Sequence, residues 1–160
     1  MATQNIIQYL ETSQYNALPN PGGLVPVGAE AMNRRQVETF IAGAAIAAND
    51  LVCLDLSKTD NGEKAITIIK ADGAVVAKRC VVGFALNAAT NAGDSVDVTI
   101  AGLHIDANVL TGVAQGTGLS TSGTAGRSDA YVAGDTVPVI GFALETAAAN
   151  KAPVFVIKQF

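Results

Sequence analysis

From Gln36 onward the apolar residues fall into short runs, mostly rich in Val and Ile, that alternate with clusters of turn-forming residues. Runs of about four to eight residues bounded by Gly, Asn and Asp are the pattern of β-strands. Strands are expected near residues 36–41, 50–56, 64–70, 79–86, 94–101, 108–114, 136–144 and 153–159. Turns are expected at Thr59-Asp60-Asn61-Gly62, Asp72-Gly73, Asn91-Ala92-Gly93 and Ala133-Gly134. Asn61-Gly62 and Asp72-Gly73 are suited to tight hairpins, because Gly and Asn accept positive φ. In the run from Asp94 to Ile100, Val96, Val98 and Ile100 share one parity, and Ser95, Asp97 and Thr99 share the other. The first set is expected to face a core and the second water.

Residues 1–35 read differently. They hold Pro19, Pro21, Pro26, Gly22, Gly23 and Gly28, two of the three tyrosines and none of the five phenylalanines. Proline fixes φ and withholds a donor, so residues 19–28 should be extended or turned. The expected organisation is an extended N-terminal arm, 1–35, feeding a β domain, 36–160. The stretch 115–129, QGTGLSTSGTAGRSD, is dominated by Gly, Ser and Thr and offers little to bury. It is expected to be a mobile surface loop.

The chain also resembles itself. Val82-Gly83-Phe84-Ala85-Leu86 returns as Ile140-Gly141-Phe142-Ala143-Leu144, an offset of 58 (141 − 83), and Ala89, Val96 and Val98 meet Ala147, Val154 and Val156. A second signature occurs three times: Ala48-Asn49-Asp50-Leu51-Val52, Ala92-Gly93-Asp94-Ser95-Val96 and Ala133-Gly134-Asp135-Thr136-Val137. Gly or Asn can take the left-handed position of a turn, Asp can cap a backbone N–H, and alternation then starts a strand. Pro138 cannot donate to a ladder, which places the third copy's strand at an edge or starts it there. The fold class expected is all-β: a compact barrel or sandwich with internal duplication, pseudo-repeats around 79–102 and 136–160, plus the arm.

Composition narrows the role. Hydrophobic residues make up 49% of the 160-residue chain, aromatics only 5% and charged residues 15%; an average domain carries roughly 25% charge. So little charge suits a subunit that hides surface against partners. The net charge is −4 and the basic residues are scattered, so no nucleic-acid footprint is expected. The first fifteen residues hold no Lys or Arg and no apolar core follows, so neither a secretory leader nor a membrane span is expected.

Candidate chemistry is thin. His104 stands without a second His, Cys or carboxylate cluster at metal spacing, and in a strand-like run it reads as structural. No G-x-S-x-G elbow and no phosphate-binding Gly-rich motif is present. Cys53 and Cys80 have no metal or redox spacing and sit in apolar runs, so buried free thiols are expected, with a disulfide left open. Asp50, Asp55, Asp60, Asp94, Asp97 and Asp135 lie mostly at turns. Backbone capping is the expectation for them, since the Asp-rich loop that binds Ca²⁺ is missing. No enzyme activity, cofactor or metal is expected.

The order Asn49-Asp50-Leu51-Val52, Val82-Gly83-Phe84-Ala85-Leu86, Gly93-Asp94-x-Val96-x-Val98 and Val139-Ile140-Gly141-Phe142-Ala143-Leu144 followed by Val154-x-Val156 resembles the head decoration (capsid cement) proteins of tailed bacteriophages, over roughly residues 40–160. The resemblance implies a compact β domain that forms a homotrimer and decorates the outer capsid surface of the virion. It also implies that the trimer bridges major capsid protein subunits, without cofactor or reaction. Alternatives are a tail or fibre component, or a non-catalytic β-type binding module. The arm and the 115–129 stretch lie outside the pattern. An extended arm can add a strand to a neighbour's sheet. Its candidate contact residues are Tyr9, Leu10, Tyr15, Leu18, Pro19, Leu24 and Val25, with the tyrosines as anchors.

Overall fold

The computed structural model describes residues 35–133 and 139–157. The N-terminal arm, most of the third Ala-Gly-Asp copy with Pro138, and the last three residues lie outside the described residues. The described chain is all-β, with one short α-helix and a single 3-10 turn at Val76–Lys78. Its elements are β1 (Arg35–Ala42), β2 (Leu51–Leu54), α1 (Asn61–Ile66), β3 (Thr67–Lys70), β4 (Val81–Ala85), β5 (Ser95–Asn108), β6 (Gly118–Thr121), β7 (Ser128–Ala130), β8 (Gly141–Ala143) and β9 (Lys151–Val156).

The strands run in the order β1-β3-β2-β4-β5-β9-β8-β6-β7, and β1 also pairs with β5. The first five strands therefore close into a barrel. Closure removes free edges within that half. β5 is shared. Its first half lies in the barrel wall, and its second half pairs antiparallel with β9, which leads through β8 and β6 to β7. Gly102 marks the crossing: it is opposite Arg35 of β1 and Val156 of β9, with φ of 90°. A side chain there would be strained.

Two cores result. One fills the barrel, with Phe40, Val52, Ile68, Val96, Val98 and Ile100. The other lies between the outside of the barrel and the second sheet, with Leu51, Cys53, Phe84, Leu119, Val154 and Val156. β2 and β4 separate the two cores. That is why Leu-Val-Cys-Leu and Val-Val-Gly-Phe-Ala are apolar without alternation: both faces of each strand are covered.

The duplication is visible in the pairing. β4 pairs with β5 and β8 pairs with β9, both antiparallel, and each couple carries a Gly-Phe-Ala strand. Sequence alignment matches Val96 to Val154, but the ladders set Ala85 opposite Val98 and Ala143 opposite Val154. The second hairpin is therefore two residues shorter. Both glycines sit against a neighbouring backbone. A Cβ on Gly83 would lie 2.0 Å from the Thr99 carbonyl oxygen, and one on Gly141 would lie 2.5 Å from that of Phe155.

Several expectations are corrected. Asn61-Gly62 opens α1 instead of a tight turn: Asp60 Oδ1 accepts from Gly62 N (2.7 Å) and Glu63 N (3.2 Å), an N-cap that starts a helix between the paired strands β2 and β3. Asp72-Gly73 does not turn a hairpin, because β3 and β4 both pair with β2 and not with each other. The strand expected at 108–114 is the end of β5 followed by turns. The 115–129 stretch is not a loop with little to bury. It contains the β6–β7 hairpin, and Leu119, Ser120, Ser122 and Ser128 are buried. Small polar side chains fit there because backbone pairing, rather than apolar bulk, ties the segment down. Thr99 is fully buried, whereas Ser95 and Asp97 are exposed as expected.

Gly83→Ala and Gly141→Ala should each lower stability by about 1–3 kcal/mol through overpacking, as read from urea midpoints. Gly123→Ala should change it far less, since nothing lies within 4 Å of a Cβ there. Equal effects at all three positions would refute the close approach of the paired strands.

Candidate functional site

The polar residues singled out in the sequence are engaged within the fold. His104 is buried under the ring of Phe84, centroids 5.3 Å apart, with Nδ1 3.1 Å from Thr99 Oγ1 and Nε2 3.0 Å from Asn49 Oδ1. The Asn49 oxygen can only accept, so Nε2 carries the proton and Nδ1 accepts from the Thr99 hydroxyl. A neutral imidazole satisfies both bonds. Burial first, then the positive charge of Arg35, lowers the His104 pKa to about 4; Asp106 opposes the shift and Lys151 adds to it. His104 thus ties β5 to the turn before β2. Asn49 holds that turn at φ 70°.

Asp50 is a second tie. Its carboxylate accepts from Ala47 N (2.9 Å) and Asn108 Nδ2 (2.8 Å) and pairs with Lys70 Nζ at 3.0 Å. Asp94 repeats the cap in the second copy, accepting from Thr90 N and Asn91 N beside Gly93 at φ 96°. Asp55 accepts from Ser57 N and Oγ, and Asp97 accepts from Thr39 Oγ1. The turn-capping expectation thus holds for Asp50, Asp55, Asp60 and Asp94, and Asp135 lies outside the described residues. Among the described residues no three His, Cys, Asp or Glu side chains gather at metal-binding distance.

Cys53 and Cys80 are free thiols. Cys53 is buried, and that burial, with neighbouring Cys80 adding to it, pushes its thiol up to about 12. Cys80 is exposed, against expectation, because it precedes β4 rather than lying within it.

What the sequence reading missed is a surface. Leu103, Phe155 and Phe142 are directly opposite one another on β5, β9 and β8. They form one cross-strand row on one face. Ile105, Ile157 and Leu144 lie two residues along the same strands or their continuations, so the pleat puts them on that face too. Phe155 is 46% exposed, Phe142 43% and Ile105 50%, with Leu144 and Ile157 also exposed and Leu103 partly buried. The opposite side of these strands carries Val154, Val156 and Ala143 into the second core. This half of the sheet is therefore apolar on both faces, but the barrel covers only one. The available signal was the alternation in Lys151-Ala152-Pro153-Val154-Phe155-Val156-Ile157, which has an apolar residue at almost every outward position. A contiguous patch of this kind marks a contact surface more often than scattered apolar residues do. The arm residues Tyr9, Leu10, Tyr15, Leu18, Pro19, Leu24 and Val25 lie outside the described residues.

No protein-family model and no curated protein matches the chain. Among solved structures, the fold is similar to the N-terminal base of the head fiber protein gp8.5 of bacteriophage phi29, with a TM-score of 0.51 and 20% sequence identity. The match covers 77% of this chain and 94% of that one.

The buried neutral His104 fixes the sign of a pH effect. An unfolded chain protonates this histidine as pH falls through its ordinary 6.5, while the folded chain resists until about 4. Stability should therefore fall between pH 6.5 and 4, by about 3 kcal/mol, and stay level from this source below that. Urea unfolding of His104→Gln should lack this component. A variant with the same pH profile as the parent would exclude His104 as the source.

Proposed function

We propose that this chain is a structural component of a tailed-phage virion, carried on the outside of the head, and that it works by binding rather than by catalysis. The observation that carries the reading is the likeness in fold to the base of a phage head fiber, over most of both chains. At 20% identity the likeness speaks to fold. A low charged fraction, 15%, which suits a subunit that hides surface against partners, supports the step to function.

The finer form of the reading is a cement protein: a homotrimer that bridges major capsid protein subunits on the outer capsid surface. A subunit that binds only the closed shell stabilises that shell by mass action. The other form is the base of a head appendage, favoured by the likeness in fold to a head fiber base.

Deleting the gene and purifying the particles separates these forms. Cement predicts particles that lose their contents at lower temperature or on osmotic shock, with restoration by added protein. An appendage base predicts particles of unchanged heat resistance that lack a projecting structure. If quantitative mass spectrometry finds the chain absent from complete purified particles, both forms fall.

A further inference from the structure

The exposed apolar face of the second sheet calls for an occupant, and the geometry points to one. We propose that residues 24–27 of the same chain, Leu-Val-Pro-Val, pack across the Leu103–Phe155–Phe142 row. This inference concerns the isolated subunit and stands independently of the virion reading.

Direction is the first argument. β1 runs antiparallel to β5, with Gln36 opposite Ala101 and Arg35 opposite Gly102. The N-terminal end of β1 therefore lies beside Gly102, next in sequence to Leu103, the first residue of the row. Gly102 faces β9 on its other side, through Val156. Arg35, the first described residue, thus lies at the margin of the apolar face.

Reach is the second. The eight steps from Val27 to Arg35 can span about 25 Å when extended. The row crosses three strands set about 4.8 Å apart, so about 10 Å of travel suffices. Chemistry is the third. Leu24, Val25, Pro26 and Val27 carry no charge, and Pro26 disfavours a helix. An extended apolar tetrapeptide suits a flat strand face.

Size decides between occupants. With an aromatic side chain presenting about 150–250 Å², the partly exposed residues of this face leave on the order of 400 Å² open. A stable subunit interface takes about 800 Å² per partner. The patch is therefore small for a second copy and suits a few residues of chain.

Cysteine trapping on the full chain tests this. In a Cys80→Ser background, Val25→Cys is combined with Phe155→Cys and, separately, with Leu144→Cys as a second position on the face. Each is oxidised with copper phenanthroline at low micromolar concentration, after a cooperative melt confirms folding. The expected product is an intramolecular disulfide, seen as a faster-migrating monomer without reductant. Val25→Cys with Thr39→Cys, on the outer wall of the barrel, should remain reduced. Disulfide-linked dimers in place of the internal bond would show that a second copy takes the face, and free thiols in both folded pairs would show that the segment does not reach it. Either result overturns the proposal. No particle is present in the assay, so its failure would leave the virion reading untouched.

Discussion

One strand holds the molecule together. β5 supplies 14 residues, closes the barrel through β1 and β4, and then supplies the edge on which β9, β8, β6 and β7 assemble. Its two halves serve different cores, and the change occurs at Gly102, whose positive φ a side chain would resist. Everything packed on the second sheet depends on β5 leaving the barrel at that point. The buried contacts that fix the geometry are polar. His104 on β5 reaches Asn49, and Asn108 at the end of β5 reaches Asp50. The turn that begins β2 is thereby held against the second half of the long strand, and His104 links it to Thr99 in the first half. Removing one partner from such a pair leaves the other buried and unsatisfied, which costs more than the bond contributes.

Much of this could be read from the chain, because strand patterning and turn chemistry are local. Asn49 and Gly93 take the left-handed position that the repeated signature assigned them, and Asp50 and Asp94 cap as that signature implied. The Gly-Phe-Ala repeat marks equivalent hairpin strands. Long-range pairing was less legible. The burial of Thr99 follows from the opposite residue, Phe84, and from His104, five positions away in sequence but brought round by the bend in β5. The β6–β7 hairpin was hidden because Gly, Ser and Thr give no apolar alternation. Its stability comes from the ladder and from Leu119, a single buried anchor.

The candidate site was invisible for a related reason. Phe155 and Phe142 belong to runs that look like core strands, and half of each run is indeed core. Phe84 and Phe142 occupy the same place in the repeat, yet the first is fully buried and the second 43% exposed. In the first copy the second sheet covers the phenylalanine; in the second copy nothing among the described residues covers it to that degree. Duplication thus produced two similar hairpins and one surplus apolar face. A fold with such a face and few charges is built to be covered.

The proposal that the chain sits on the outside of a phage head is tested most directly by a cryo-electron microscopy map of the particles assembled from the genome that encodes it. The expected result is density outside the capsid shell into which the five-strand barrel and its attached sheet fit at a repeated position. A complete head whose outer surface carries no such density would contradict the assignment.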